Sequence, residues 1–180
     1  MTATNDDADR ALAAHVSGVL RHIWEPIGMG MEGPPDEYDR YIPGIVALLH
    51  GRTAHETAIA EHLIRIETLE MRLSPRTRVR STSTRAARAL LGLRDACLDA
   101  PHVLVAQIIS WNGLHCIWIF RRSDGLHNYQ HAVFRSENDE NGEYGWWADA
   151  GEGRPGLFST ATAAEAEARA TIGWLRTCDG

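Results

Sequence analysis

Lysine is absent from this chain of 180 residues: all 18 basic residues are arginine, a bias that fits GC-rich coding. Cysteine is sparse. Cys97, Cys116 and Cys178 are odd in number, far apart and form no C-x-x-C. That spacing excludes a disulfide framework and a zinc framework, and implies free thiols in a reducing cytosol. No apolar run reaches about 18 residues, so no membrane span is expected. The opening MTATNDDADR is acidic and has no apolar core, so it does not read as a secretory signal. Acyl-transfer and zinc-protease signatures are missing too. There is no G-x-S-x-G, and His55-Glu56 is followed by Thr, Ala and Ile, which leaves H-E-x-x-H incomplete.

What is present is an ordinary globular composition, 44% hydrophobic and 23% charged, with a net charge of −6. The charge is unevenly placed. Residues 72–94 carry seven arginines and no acid, so the remainder is strongly acidic.

The first half reads as helices. Residues 1–7 look like a tail. Leu12, Val16, Val19, Leu20, Ile23 and Trp24 then recur at helical spacing up to Glu25–Pro26. After a Gly/Pro-rich loop, Asp36 is a plausible N-cap for DEYDRYIPGIVALLHG, in which Pro43 should kink or restart the helix and Gly51 should stop it. Thr53 and Glu56 form a T-x-x-E capping box before a stripe of Ile59, Leu63, Ile66 and Leu69/Glu70. A fourth helix is expected over 83–98, after an exposed RTRVRSTST.

Beyond Asp99–Ala100–Pro101 the pattern changes. VLVAQIIS and LHCIWIFRR are β-branched and aromatic, and Asn112-Gly113 between them is a hairpin signal. Ser123-Asp124-Gly125 marks a second turn, YQHAVFRS a third strand and YGWWADA a fourth. An alanine-rich helix over 160–176 should cover the sheet with Ala164, Ala168, Ile172 and Leu175. The expected fold is α+β: a four-helix bundle over 8–98, then a four-stranded antiparallel meander with a C-terminal covering helix over 102–180.

GMGMEG, residues 28–33, spells the G-x-G-x-x-G of dinucleotide sites. That fingerprint needs a strand leading in and a helix opening at the loop. Here a helix leads in, Pro34–Pro35 follows, and Glu25, Glu32, Asp36, Glu37 and Asp39 would repel a pyrophosphate. A helix-to-helix turn is the better reading, and no cofactor is expected.

Trp24, Pro26, Ile27 and Gly28, then Asp36, Glu37, Tyr38, Asp39 and Tyr41, then Ile66, Glu67, Met71 and Leu73 carry one resemblance. Over about residues 1–95 the chain resembles a group of small bacterial proteins of unknown function. Their pattern is W-D-P-I-G, D-E-Y-D-x-Y and I-E-x-x-x-M-x-L. Glu25 stands where the group tends to have Asp, and Arg72 where Gly is common. The resemblance implies a compact helical domain and no particular activity.

Several constellations could carry function. His15/His22 and His55/His62 are each seven apart, about 10 Å along a helix, too far for one metal ion. His127, Tyr129 and His131 would share one strand face. No metal site is expected. Asp36, Glu37, Tyr38 and Asp39 could meet a partner, or form an acidic site of a small enzyme beside the glycine loop. Arg76, Arg78, Arg80, Arg85 and Arg88 could hold a phosphate backbone, but no aromatic residue lies among them for stacking. Trp146 and Trp147 point to opposite faces of a strand, so one should pack under the covering helix near Ile172 or Leu175 and the other should be free for a partner or a seam. The leading expectation is a non-catalytic, cytoplasmic protein-binding factor, immunity- or antitoxin-like, whose partner is another protein. Nucleic acid is not expected as the partner.

Overall fold

The structure is a computed structural model that describes residues 5–27, 33–34, 36–51, 54–73, 79–98, 102–139, 142–151 and 156–176. The chain divides into two compact units, Met1–Arg94 and Asp95–Gly180. It is an α+β protein with helices and one four-stranded antiparallel sheet.

In the first unit, α1 (Asn5–Val19) continues into a wider turn over Leu20–Trp24, where the Glu25 N–H reaches back five residues to the Leu20 carbonyl at 2.9 Å. Leu12, Val16, Leu20 and Trp24 lie four apart and are at most 1% exposed, so this stripe is core. Glu25 ends the helix with φ 36°, a left-handed conformation. A short turn over Asp39–Tyr41 leads into α2 (Ile42–His50). Pro43 sits in the first turn of α2, so the proline restarts the helix rather than kinking it. Asp36 does not cap α2. Its carbonyl instead accepts the Asp39 N–H at 3.1 Å, one turn earlier. Gly51 follows α2 in an extended conformation, φ −70° and ψ 141°, so the expected left-handed stop is not used.

α3 (Glu56–Arg65) is capped by His55, not by the capping-box threonine: the imidazole Nδ1 accepts the Ala58 N–H at 3.3 Å. Thr53 lies outside the described residues. α3 also widens at its end, over Ile66–Glu70, and the Met71 N–H reaches the Ile66 carbonyl at 2.9 Å. α4 (Val79–Leu98) begins a turn before the expected Ser83, which is fully buried beside Ala86 and Ala87 on the packed side. Burial of small side chains here overrides the weak helix propensity of STST. Arg88 pairs with Glu56 at 3.0 Å, and Arg94 donates to the Ala54 carbonyl at 3.2 Å, tying α4 to the start of α3.

The second unit is a meander of β1 (Val103–Ile109), β2 (His115–Arg121), β3 (His127–Asp139) and β4 (Gly142–Asp149), in that spatial order. The first turn is longer than a two-residue hairpin. Asn112 Oδ1 accepts from the Ser110 hydroxyl at 2.7 Å and from the Leu114 N–H at 3.0 Å, and Gly113 takes φ 70°. The second turn is set by Gly125 at φ 81° and by Asp124, which accepts the Leu126 N–H at 3.1 Å. Val105 is an extra residue between the paired Leu104 and Ala106, a bulge in β1.

The helix expected over 160–176 is broken. Thr160 caps α5 (Ala161–Thr171), Ile172 is extended, and α6 (Gly173–Arg176) follows. Thr171, Ile172 and Gly173 are poor helix formers in succession, which places the break there. Ala164, Ala168, Ile172 and Leu175 pack with Ile117, Ile119 and Tyr129 on one face of the sheet. Each fully buried aliphatic side chain of this kind contributes about 1.5–3 kcal/mol.

Candidate functional site

β3 outruns β2. Its pairing with β2 ends at Val133, whereas its pairing with β4 continues to Asp139. Residues 135–139 and their β4 partners therefore form a two-stranded ribbon past the end of the three-stranded part. Register assigns its faces. Arg135 lies opposite Trp146 and Glu137 opposite Tyr144, so these side chains share the face that α5 covers further along. Tyr144 and Trp146 are 43% and 38% exposed and stack on each other, with centroids 5.5 Å apart and planes at 24°. The Tyr144 hydroxyl donates to the Glu137 carboxylate at 2.9 Å, which fixes the tyrosine ring.

Trp147 faces the other way. It meets Phe134 edge-on at 5.3 Å and Trp118 at 6.0 Å, an aromatic cluster on the face away from α5. Gly145 makes room for it: a Cβ there would fall 2.6 Å from Phe134 Cε1 and 3.2 Å from the Arg135 carbonyl oxygen. The expectation that one of these two tryptophans packs under the covering helix near Ile172 or Leu175 is therefore corrected. Neither belongs to that cluster; the tryptophan packed against it is Trp174. A strand face alternates by two, but α5 covers only part of the sheet and leaves the ribbon bare.

The ribbon is also acidic. Residues 135–149 contain Glu137, Asp139, Glu140, Glu143 and Asp149 against one arginine, Arg135. An exposed aromatic pair among carboxylates suits a partner with cationic side chains.

The other candidates belong to the first unit. Asp36 and Asp39 are exposed, Glu37 is half-buried and Tyr38 is buried. The Tyr38 ring packs edge-on against Trp24 at 5.8 Å, and Tyr41 does so at 6.4 Å, so the tyrosines of this segment serve the core. Burial, then the carboxylates of Glu37 and Glu25, push the Tyr38 hydroxyl up to about 12, a poor proton donor or acceptor near neutrality. Gly28 and Gly30 of the loop lie outside the described residues, as do Arg76 and Arg78. Arg80 is exposed, Arg85 is half-buried, and Arg88 is engaged with Glu56.

Burial pushes the Cys97 thiol up to about 11, and Cys116, fully buried, is raised further. Both are free thiols of low nucleophilicity. Among the described residues no three His, Cys, Asp or Glu side chains converge as a metal site, and no helix is long and apolar enough to cross a membrane. The two histidines of the His55/His62 pair are separately occupied. His55 caps α3, and His62 accepts from Arg65 at 2.8 Å.

One cluster escaped the sequence. His115, His131 and Trp174 come from β2, β3 and α6, and pack with ring centroids 5.5–6.2 Å apart. Only the alternation of His127, Tyr129 and His131 hinted at it. No known protein family, curated protein or solved structure matches this chain.

Proposed function

We propose that this chain is a non-catalytic protein-binding factor, immunity- or antitoxin-like, that engages a basic protein partner through the β3–β4 ribbon. The observation that carries the reading is the exposed, stacked Tyr144–Trp146 pair, fixed by Glu137 on a ribbon that extends past the covered sheet. Tryptophan and tyrosine are the side chains most often found as binding hot spots, and a pre-stacked pair loses little conformational entropy on docking. The acidic ribbon supplies steering toward a cationic surface. The free thiols, Cys97 half-buried and Cys116 buried, fit a reducing cytosol.

The test is comparative capture. Immobilised wild-type protein and its Trp146→Ala variant are exposed to the same native lysate at moderate salt. One stoichiometric, basic protein retained by the wild type and lost by the variant supports the reading. A partner retained equally by both removes the ribbon from it. Turnover of a small molecule with no macromolecule retained would replace it with an enzyme.

A further inference from the structure

Trp174, on α6, aims its indole Nε1–H at Nε2 of His131 on β3, 3.2 Å away. An indole nitrogen only donates. Nε2 of His131 must therefore present a lone pair, so this imidazole is neutral and carries its proton on Nδ1. Nδ1 of His115, on β2, lies 3.3 Å from the same Nε2, and so His115 is the donor in that contact. Protonating His131 on Nε2 removes the lone pair that accepts from Trp174, whereas the contact with His115 can reverse its direction. His131 is also buried, 8% exposed, so water is poorly placed to take over the indole N–H.

We propose that His131 and Trp174 form a proton-sensitive clasp: neutral His131 holds α6 on the sheet, and protonation at Nε2 releases Trp174 and the turn that carries it. The surroundings give the sign. From β2 the ring faces the imidazole of His115. Beside β4, the His131 backbone carbonyl accepts from the N–H of Ala150, an uncharged residue, at 3.0 Å. Asp149 pairs with Ala132 and so projects from the other face, with its carboxylate on the Gly151 N–H at 2.7 Å. From α5, Thr171 meets the Tyr129 hydroxyl at 3.1 Å, and Arg176 of α6 donates to the Thr171 carbonyl at 3.3 Å. The Tyr129–Thr171 bond does not involve His131, so α5 stays seated while α6 lets go. The clasp is independent of any partner at the ribbon.

The test uses the full chain, by amide exchange and by the indole N–H resonances between pH 8 and pH 5, the range in which histidines change charge. The Trp174 indole signal is assigned by its loss in Trp174→Phe. The clasp requires that signal to shift or broaden as pH falls, and amides of residues 173–176 to exchange about tenfold faster after correction for intrinsic rates. His131→Gln places an uncharged acceptor near the position of Nε2 and should hold α6 at both pH values. His115→Gln should leave the acid response in place. An unchanged wild-type indole signal, or an acid response that persists in His131→Gln, overturns the proposal. Trp174→Phe supplies an independent check should His131→Gln fail to fold: its 173–176 exchange must already be fast at pH 8.

Discussion

Arg72 offers the sharpest test of how the first unit is built. It ends the α3 extension with φ 56°, in the left-handed region, where the Cβ of an ordinary residue crowds the following carbonyl. The conformation is imposed from both sides. The Met71 N–H is committed to the Ile66 carbonyl at 2.9 Å and the Leu73 N–H to the Glu67 carbonyl at 3.0 Å, so residue 72 must turn the chain between them. Its side chain is exposed and packs no core. Left-handed placement costs an L-residue about 1–2 kcal/mol. Glycine escapes that cost but loses about 0.4–1 kcal/mol more backbone freedom on folding. Arg72→Gly should therefore stabilise the protein by about 0.5–1 kcal/mol, a rise of roughly 2–4 °C in Tm per kcal/mol at this chain length. Arg72→Ala removes the same charge but keeps the Cβ, and should give none of this gain. Urea denaturation of the three proteins, read by circular dichroism with constant m, measures it. Equal midpoints for the Gly and Ala variants would refute the strain argument, and a lower midpoint for Gly would show that the turn is not left-handed in solution.

Four further outcomes follow from the same structure. Trp146→Ala should leave folding stability within about 0.5 kcal/mol of wild type, yet weaken capture of a partner at least ~30-fold, the size of a tryptophan hot spot; isothermal titration with that partner decides it. Gly145→Ala should destabilise by about 1–3 kcal/mol, because the Phe134 ring has to leave its seat, and near-UV circular dichroism should report the disturbed Trp147. Glu56→Ala leaves Arg88 half-buried without its carboxylate and should cost about 1–2 kcal/mol in chemical denaturation. Cys97 should resist iodoacetamide at pH 8 and react faster only as pH approaches about 11. Its raised thiol also makes folding stability present below the unfolded thiol value fall away as pH rises through that window, which peptide mapping and alkaline melts together would show.

The sheet was readable because its turns advertise themselves: Asn112-Gly113 and Asp124-Gly125 sit where the chain reverses. The apolar stripe ending at Trp24 marked the first helix for the same reason, a period that only one geometry satisfies. The helix ends were not readable. Whether Glu25 and Arg72 turn left-handed depends on hydrogen bonds that reach five or six residues back, which no residue preference encodes. His55 was not legible as a cap, since imidazole is an uncommon acceptor there. For the candidate site, the two tryptophans were visible, but their environments were not. Strand alternation says only that Trp146 and Trp147 face apart; that α5 packs over Ile117, Ile119 and Tyr129 and stops short of the ribbon is set by tertiary packing. The His115–His131–Trp174 cluster joins residues from three elements, so it exists only once the strands are in register.

The bulge at Val105 and the long, regular β4 give the sheet a polarity. At one margin the extra residue spoils the ladder that a new strand would have to match. At the other, the eight residues of β4 pair with β3 without a break in register, as a straight template. Self-association of partly opened molecules would therefore be templated better by β4 than by β1. Like-charge repulsion among the carboxylates along the ribbon is the barrier to it, so the chain should be slowest to polymerise in dilute neutral buffer and quickest where acid or salt removes that repulsion.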